Sequence, residues 1–161
     1  DCIWNGMTLT DDIMANTATT CAYAKNAQVV VIKDGTDYTS TADLVGKTVV
    51  AEAGSAGEAE LKAMDITDYT AVQSQSSALM EVAAGTANAC VIDITMANAM
   101  TGEGTGYPDL AIACELSSEE YGIGFRKDSD MTAKVNEIMA ELMADGTLDA
   151  LAEKYSLTLV K

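Results

Sequence analysis

Lys47–Leu61, KTVVAEAGSAGEAEL, reads as a buried strand over Thr48–Ala51, a tight glycine turn over Gly54–Gly57 and a helix that follows at once. Ser55 with Glu58 three residues on has capping-box spacing, so the helix is expected to start at Ser55, whose hydroxyl turns back onto the first free amides. Those amides and the positive end of the helix dipole then face away from the strand, where a carboxylate or phosphate can sit. From this segment alone an ordinary strand-to-helix turn is the favoured reading, because short glycine motifs are common. The rest of the chain has to decide.

With 161 residues and 48% hydrophobic content, the chain can bury a real core as one domain or two small lobes. Its net charge of -16, from nine Lys plus Arg against 25 Asp plus Glu, argues against nucleic acid or anionic lipid as a partner. No run of eighteen apolar residues and no basic-then-apolar leader occurs, so the sequence as it stands neither spans a membrane nor carries an export signal. The absence of His removes the commonest general base and metal ligand. Neither a cofactor nor a metal is expected, and an enzyme reading starts at a disadvantage. Cys2, Cys21, Cys90 and Cys114 have no metal-type spacing. Cys90 and Cys114 lie in apolar strand-like runs, where a free cysteine behaves as a small buried hydrophobe.

Strand-like and helix-like segments alternate. DCIWNGMT, AQVVVIK, KTVVAEA, YTAVQ, NACVID, DLAIACEL and YGIGFRK read as strands, with helical patterns at Ala56–Met64, Ser77–Ala84 and Thr95–Met100. This alternation indicates an α/β fold with a largely parallel sheet. Towards the end Met131, Val135, Ile138, Met139, Leu142 and Met143 form one apolar stripe at helical spacing, closed by Asp145-Gly146 and expected to serve packing. A second short helix follows through Leu148, Leu151 and Tyr155.

Four stretches in order, DCIWNGMTLTDD, AKNAQVVVIKDGTDYTSTADLVGKTVVAEAGSAGEAEL, ALMEVAAGTANACVIDITMANAM and YGIGFRKDSDMTAKVNEIMAELMADGTLDALAEKY, resemble the extracellular solute-binding proteins of amino-acid ABC importers, solute-binding protein family 3. The resemblance implies a type-II periplasmic binding fold of two α/β lobes. Lobe 2 would be complete over residues 29–120. Residues 1–28 and 121–161 would form the remainder of a truncated lobe 1 with C-terminal helices, and the hinge strands would fall near 27–33 and 118–125. The implied function is capture of a small zwitterion, a polar amino acid, in an interlobe cleft for a membrane permease. The implied location is extracytoplasmic, in the periplasm or on a cell-surface lipoprotein. The incomplete lobe implies a homodimer or a complementing N-terminal fragment. A ligand-sensing receptor domain and a dehydratase-like enzyme on the same fold are the alternatives.

Carried over residue by residue, Gly6 and Thr8 match positions that meet a ligand's ammonium and carboxylate, and Ser55, Ala56 and Gly57 match the helix start that receives the carboxylate. Asp93 matches the acid that pairs with the ammonium. The lesser reading of Asp93 is a cap on the helix over Thr95–Met100. Trp4 could lie under a ligand, but a tryptophan is more often core. Ile13 departs from the resemblance, because the family's usual MTxTxxR pattern places an arginine there that forks onto the ligand carboxylate.

Overall fold

The computed structural model describes residues 1–160. By its contacts the chain divides into two units, Ala27–Ser118 and Asp1–Asn26 together with the chain from Glu119 onward. The flanking unit begins with β1 (Cys2–Thr8), α1 (Asp11–Asn16) and β2 (Ala18–Thr19). β3 (Ala24–Lys33) then runs from it into the central unit. There follow β4 (Val49–Glu52), α2 (Ala56–Ala63), β5 (Tyr69–Val72), α3 (Gln75–Ala84), β6 (Ala89–Asp93) and α4 (Ile94–Met100). β7 (Leu110–Phe125) returns to the flanking unit, which ends with α5 (Met131–Ala144), α6 (Thr147–Tyr155) and β8 (Thr158–Leu159).

In the central unit β4 pairs in parallel with β5 and with β6, and each of these neighbours is reached through a helix, α2 or α3. Parallel pairing needs such a crossover. β3 meets β6 antiparallel, from Gln28 opposite Asp93 to Ile32 opposite Ala89. In the flanking unit β1 and β2 pair antiparallel with β7, and β8 pairs antiparallel with the start of β3. The expected largely parallel sheet is therefore confined to β6, β4 and β5.

The core sits in the central unit. One cluster joins Val29, Val31, Val50, Leu79, Val82, Cys90 and Ile92 on one side of the sheet; a second joins Val30, Leu44, Val49, Ala51, Leu61 and Val91 on the other. Alternate residues of β3 go to opposite clusters, as strand geometry requires, so the helices cover both faces. Cys90 lies fully buried in the first cluster, and desolvation pushes its thiol up to about 12. All four cysteines are free.

Three local expectations need correction. DLAIACEL and YGIGFRK form one continuous strand, because the polar Ser117, Ser118, Glu119 and Glu120 between them sit at half-buried and exposed positions where polar groups are tolerated. α3 begins at Gln75, earlier than Ser77, because Ser74 caps it by accepting from the Ser77 amide at 3.1 Å. The apolar stripe of α5 does not pack into a core: no residue of that helix is buried, and Ile138 is 53% exposed.

Candidate functional site

In the central unit the glycine turn after β4 delivers α2 with its first amides outward. The Ser55 hydroxyl accepts from the Glu58 amide at 3.1 Å and donates to the Glu52 carbonyl at 2.7 Å. That is the expected cap. The reciprocal half lands one residue early, because the Glu58 carboxylate accepts from the Gly54 amide at 2.9 Å. Glu58 also accepts from the Tyr69 hydroxyl at 2.7 Å and pairs with Lys62 at 3.1 Å. These three, with the Tyr69 bond the largest, hold its carboxyl down at about 2. Ala56 and Gly57 occupy the first two helical positions, whose amides have no acceptor inside the helix.

Gly57 is required by close packing. A Cβ there would come within 2.9 Å of the Val91 carbonyl and 3.0 Å of the Gln28 Oε1. The start of α2 thus rests directly on β6 and on the Gln28 side chain. Gln28, 1% exposed, donates through Nε2 to the Asp93 Oδ1 at 2.5 Å. Gln75 donates to the other oxygen, Oδ2, at 2.7 Å and accepts from the Asp93 amide at 3.1 Å. Asp93 does stand at the N-cap position of α4, but its side chain makes no capping bond. Its carboxylate is instead fixed between two glutamines, one amide group away from Gly57.

In the flanking unit, Gly6 lies within the stretch where β1 loses register with β7, and Thr8 lies just after it, opposite Tyr121. Ile3 faces Gly124 and Met7 faces Gly122, so four residues of β1 advance against two of β7. Gly6 takes the left-handed φ of +75° there, and a Cβ would come 3.3 Å from the Tyr121 ring. Such an irregularity re-aims the backbone. The Thr8 hydroxyl donates to the Glu119 Oε2 at 2.8 Å, and Asn26, only 3% exposed, donates to the Oε1 at 2.5 Å. Ile13 lies in α1, whose N-cap Thr10 accepts from the Ile13 amide at 3.2 Å. Arg126, the only arginine, is highly exposed and lies 3.8 Å from Asp1. Trp4 is 61% exposed, edge-on to Tyr23 at 6.4 Å, so it is not core.

The structure thus brings Ser55, Ala56, Gly57 and Asp93 together within one unit and places Gly6 and Thr8 in the other. The glutamines that fix Asp93, and Glu119 with Asn26, escape motif reading. A signal for Asn26 and Gln28 exists, since each is an amide side chain in the apolar run AKNAQVVVIK. A cavity of about 370 Å³ lies at the far end of β3 and β6, lined by Lys33, Tyr38, Lys47 and Asn88 among others, and touches none of these residues. No group of three or more His, Cys, Asp or Glu among the described residues could hold a metal ion. No helix of the described residues is long and apolar enough to cross a membrane.

The family model for bacterial extracellular solute-binding proteins, family 3, matches residues 1–158. The chain belongs to this family. Among its relatives is the probable amino-acid-binding protein YxeM of Bacillus subtilis, 35% identical over 96% of this chain and 61% of that protein. The lysine/arginine/ornithine-binding periplasmic protein of Escherichia coli is 29% identical over 83% of the chain and 55% of its own length. The membrane-bound lytic murein transglycosylase F of Pectobacterium atrosepticum is also 29% identical, over 83% of the chain but only 29% of that enzyme. The crystal structure of a mutant of ArgBP from T. maritima superposes with a TM-score of 0.86 at 34% identity, covering 96% of this chain and 68% of that one. The fold of this family member is thus α/β of the type-II periplasmic binding class. The chain spans 61% and 55% of the first two relatives, YxeM and the lysine/arginine/ornithine-binding protein.

Proposed function

We propose that the protein is the solute-binding component of an ABC importer, working outside the cytoplasm, and that it captures a small zwitterion, an amino acid, for a membrane permease. One observation carries this reading. Within a single unit, the open amides of Ala56 and Gly57 at a capped helix start lie one glutamine side chain away from the fixed carboxylate of Asp93. A helix N-terminus suits an anion, and a pre-oriented carboxylate suits a cation. An α-amino acid carries both, a bond or two apart. In this reading Ser55, Ala56 and Gly57 receive the carboxylate and Asp93 the ammonium.

The reading is of a binder, not a catalyst. Asp93 accepts from the side-chain amides of Gln28 and Gln75, and Glu119 accepts from Thr8 and Asn26, so the bonds seen at both carboxylates hold them in place. The names of YxeM and the lysine/arginine/ornithine-binding protein support amino acids as the solute class. Calorimetric titration of the protein with the twenty amino acids tests the proposal, and Asp93→Asn is expected to weaken the best ligand about ten- to a hundredfold by removing a charge-assisted bond. Unchanged affinity in that variant would sink the ammonium site.

A further inference from the structure

The far end of the central sheet holds a cavity that the proposed solute site does not use. Its volume of about 370 Å³ falls within the range of about 300–1,000 Å³ that small-ligand sites occupy. Every residue lining it lies within Ala27–Ser118, so it belongs to the central unit alone. On the β3–β6 ladder Ile32 stands opposite Ala89, four residues beyond the Gln28 and Asp93 pair, which is about 13 Å along the strands. The floor is apolar and closed: Ile32, Leu44, Val82 and Ala89 line it, none more than 7% exposed. The rim is polar. Lys33 at the end of β3 and Lys47 just before β4 both line it, two of the nine cationic side chains in a chain of net charge -16. Neither lysine is in an ion pair among the described residues. Asn88 spends its Oδ1 on the Thr48 amide at 2.9 Å, which leaves its Nδ2 group to donate.

Two carboxylates also line the cavity, in different circumstances. The Asp43 Oδ2 accepts from the Thr39 amide at 2.7 Å, the Thr39 hydroxyl at 2.8 Å and the Ser40 amide at 3.0 Å, so it serves the turn that it caps. Asp37 is exposed and keeps its charge at the rim, where it opposes a ligand with more than one negative charge. On the opposite wall the Tyr38 hydroxyl meets the Cys114 sulfur at 3.2 Å, which pins the ring in place. Two ammoniums and an amide above a closed apolar floor suit a molecule that is anionic at one end and apolar at the other. We infer that this cavity is a second ligand site, for a small organic monocarboxylate whose head lies between Lys33, Lys47 and Asn88 and whose hydrocarbon part rests on Ile32, Leu44, Val82 and Ala89. The site is independent of the amino-acid reading, because none of Ser55, Ala56, Gly57 and Asp93 lines it.

The experiment is a titration of the isotopically labelled protein with sodium hexanoate, sodium acetate and 1-hexanol at constant ionic strength, followed by amide chemical shifts. Hexanoate should give saturable shifts confined to residues 32–47 and 82–89. Acetate, without the hydrocarbon chain, should bind at least about tenfold more weakly, and 1-hexanol, without the charge, at least about threefold. Lys33→Gln and Lys47→Gln should each weaken hexanoate about threefold and leave 1-hexanol unchanged, whereas Asp37→Asn should strengthen hexanoate about twofold. All three side chains are exposed, so the variants should fold, and an unchanged unfolding midpoint checks it. The inference is overturned by hexanoate shifts that do not saturate, that scatter over the surface or that gather at Ser55–Gly57 instead. Binding of 1-hexanol as tight as that of hexanoate, or hexanoate affinity unchanged in both lysine variants, overturns the anionic class. None of these results bears on the amino-acid site, which the titration with amino acids tests by itself.

Discussion

The two units are made from the same kinds of element but close differently. In the central unit α2, α3 and α4 each bury at least one residue against the sheet, and Val29, Val31, Leu61, Leu79 and Ile92 are fully enclosed. In the flanking unit α1 and α5 bury none and α6 buries only Ala152, while Trp4, Met14, Ile138 and Tyr155 are exposed. Helical pattern alone therefore does not decide whether a helix contributes to a core. What decides is whether the strands beside it present a matching apolar face, and among the described residues only the central unit has one on both sides of its sheet.

Truncating a core side chain in each unit puts the contrast to its strongest test. Leu79→Ala removes a fully buried side chain that packs with Val31, Val82 and Ile92, and should cost about 2–5 kcal/mol in denaturant unfolding. Ile138→Ala on the exposed face of α5 should stay within about 0.5 kcal/mol. Hydrogen exchange should follow the same division, with β4 and β6 amides opening only in global unfolding and α1 and α5 opening locally. Equal costs for the two substitutions, or uniform protection across both units, would abolish the distinction.

Much of this was legible in the sequence. The alternation of β4, α2, β5, α3 and β6 was readable because each strand is a short apolar run and each helix starts at a serine or glycine signal, and the α/β class followed from it. The sheet direction was not, because whether β3 lies parallel or antiparallel to β6 depends on connections that leave no local signature. At the site, Ser55 and Glu58 announced the cap by their spacing. The landing of Glu58 on the Gly54 amide was invisible, since it depends on the tightness of the turn and on Tyr69 approaching from β5. Gln28, Gln75, Asn26 and Glu119 form bonds between residues 18 to 111 positions apart in the chain, and no motif spans such distances. The stripe of α5 was correctly helical, and it is half-buried at Val135, Met139, Leu142 and Met143 without reaching a closed core, because periodicity states which face is apolar and not what lies opposite.

The caps sharpen the comparison at lower amplitude. Ser55 caps α2 over a buried Leu61, whereas Thr10 caps α1, which buries nothing. Ser55→Ala should lower global stability by about 1 kcal/mol, since the lost bond loosens a helix tied to the core. If the proposed carboxylate site holds, it should also weaken binding there. Thr10→Ala removes a bond of similar geometry but should appear only as local fraying, seen as faster amide exchange in α1 with an unchanged unfolding midpoint. A global loss in Thr10→Ala equal to that in Ser55→Ala would mean that α1 is coupled to a core after all.

The smallest effect concerns acid. The Tyr69 hydroxyl, the Gly54 amide and Lys62 hold Glu58 at about 2, below its ordinary 4.5, so its contribution is fully present above about 4.5 and is lost as pH falls through about 2. In the flanking unit Asp130 is likewise lowered, chiefly by its hydrogen bond with Lys134, but it stands at the start of α5, a helix without a buried residue. The two carboxylates thus share a direction of shift and differ in what they are attached to. Between pH 5 and pH 3 the melting temperature of the wild type should fall, by an amount that Glu58→Gln reduces and Asp130→Asn leaves nearly unchanged. Glu58 ties the Gly54 turn to β5 across the edge of a closed core, so its protonation loosens structure that the global transition reports, whereas that of Asp130 frees only a helix end. An acid slope altered equally by both substitutions would show that the flanking unit melts as part of the same cooperative core, and the contrast between the units would then lie in exposure alone and not in stability.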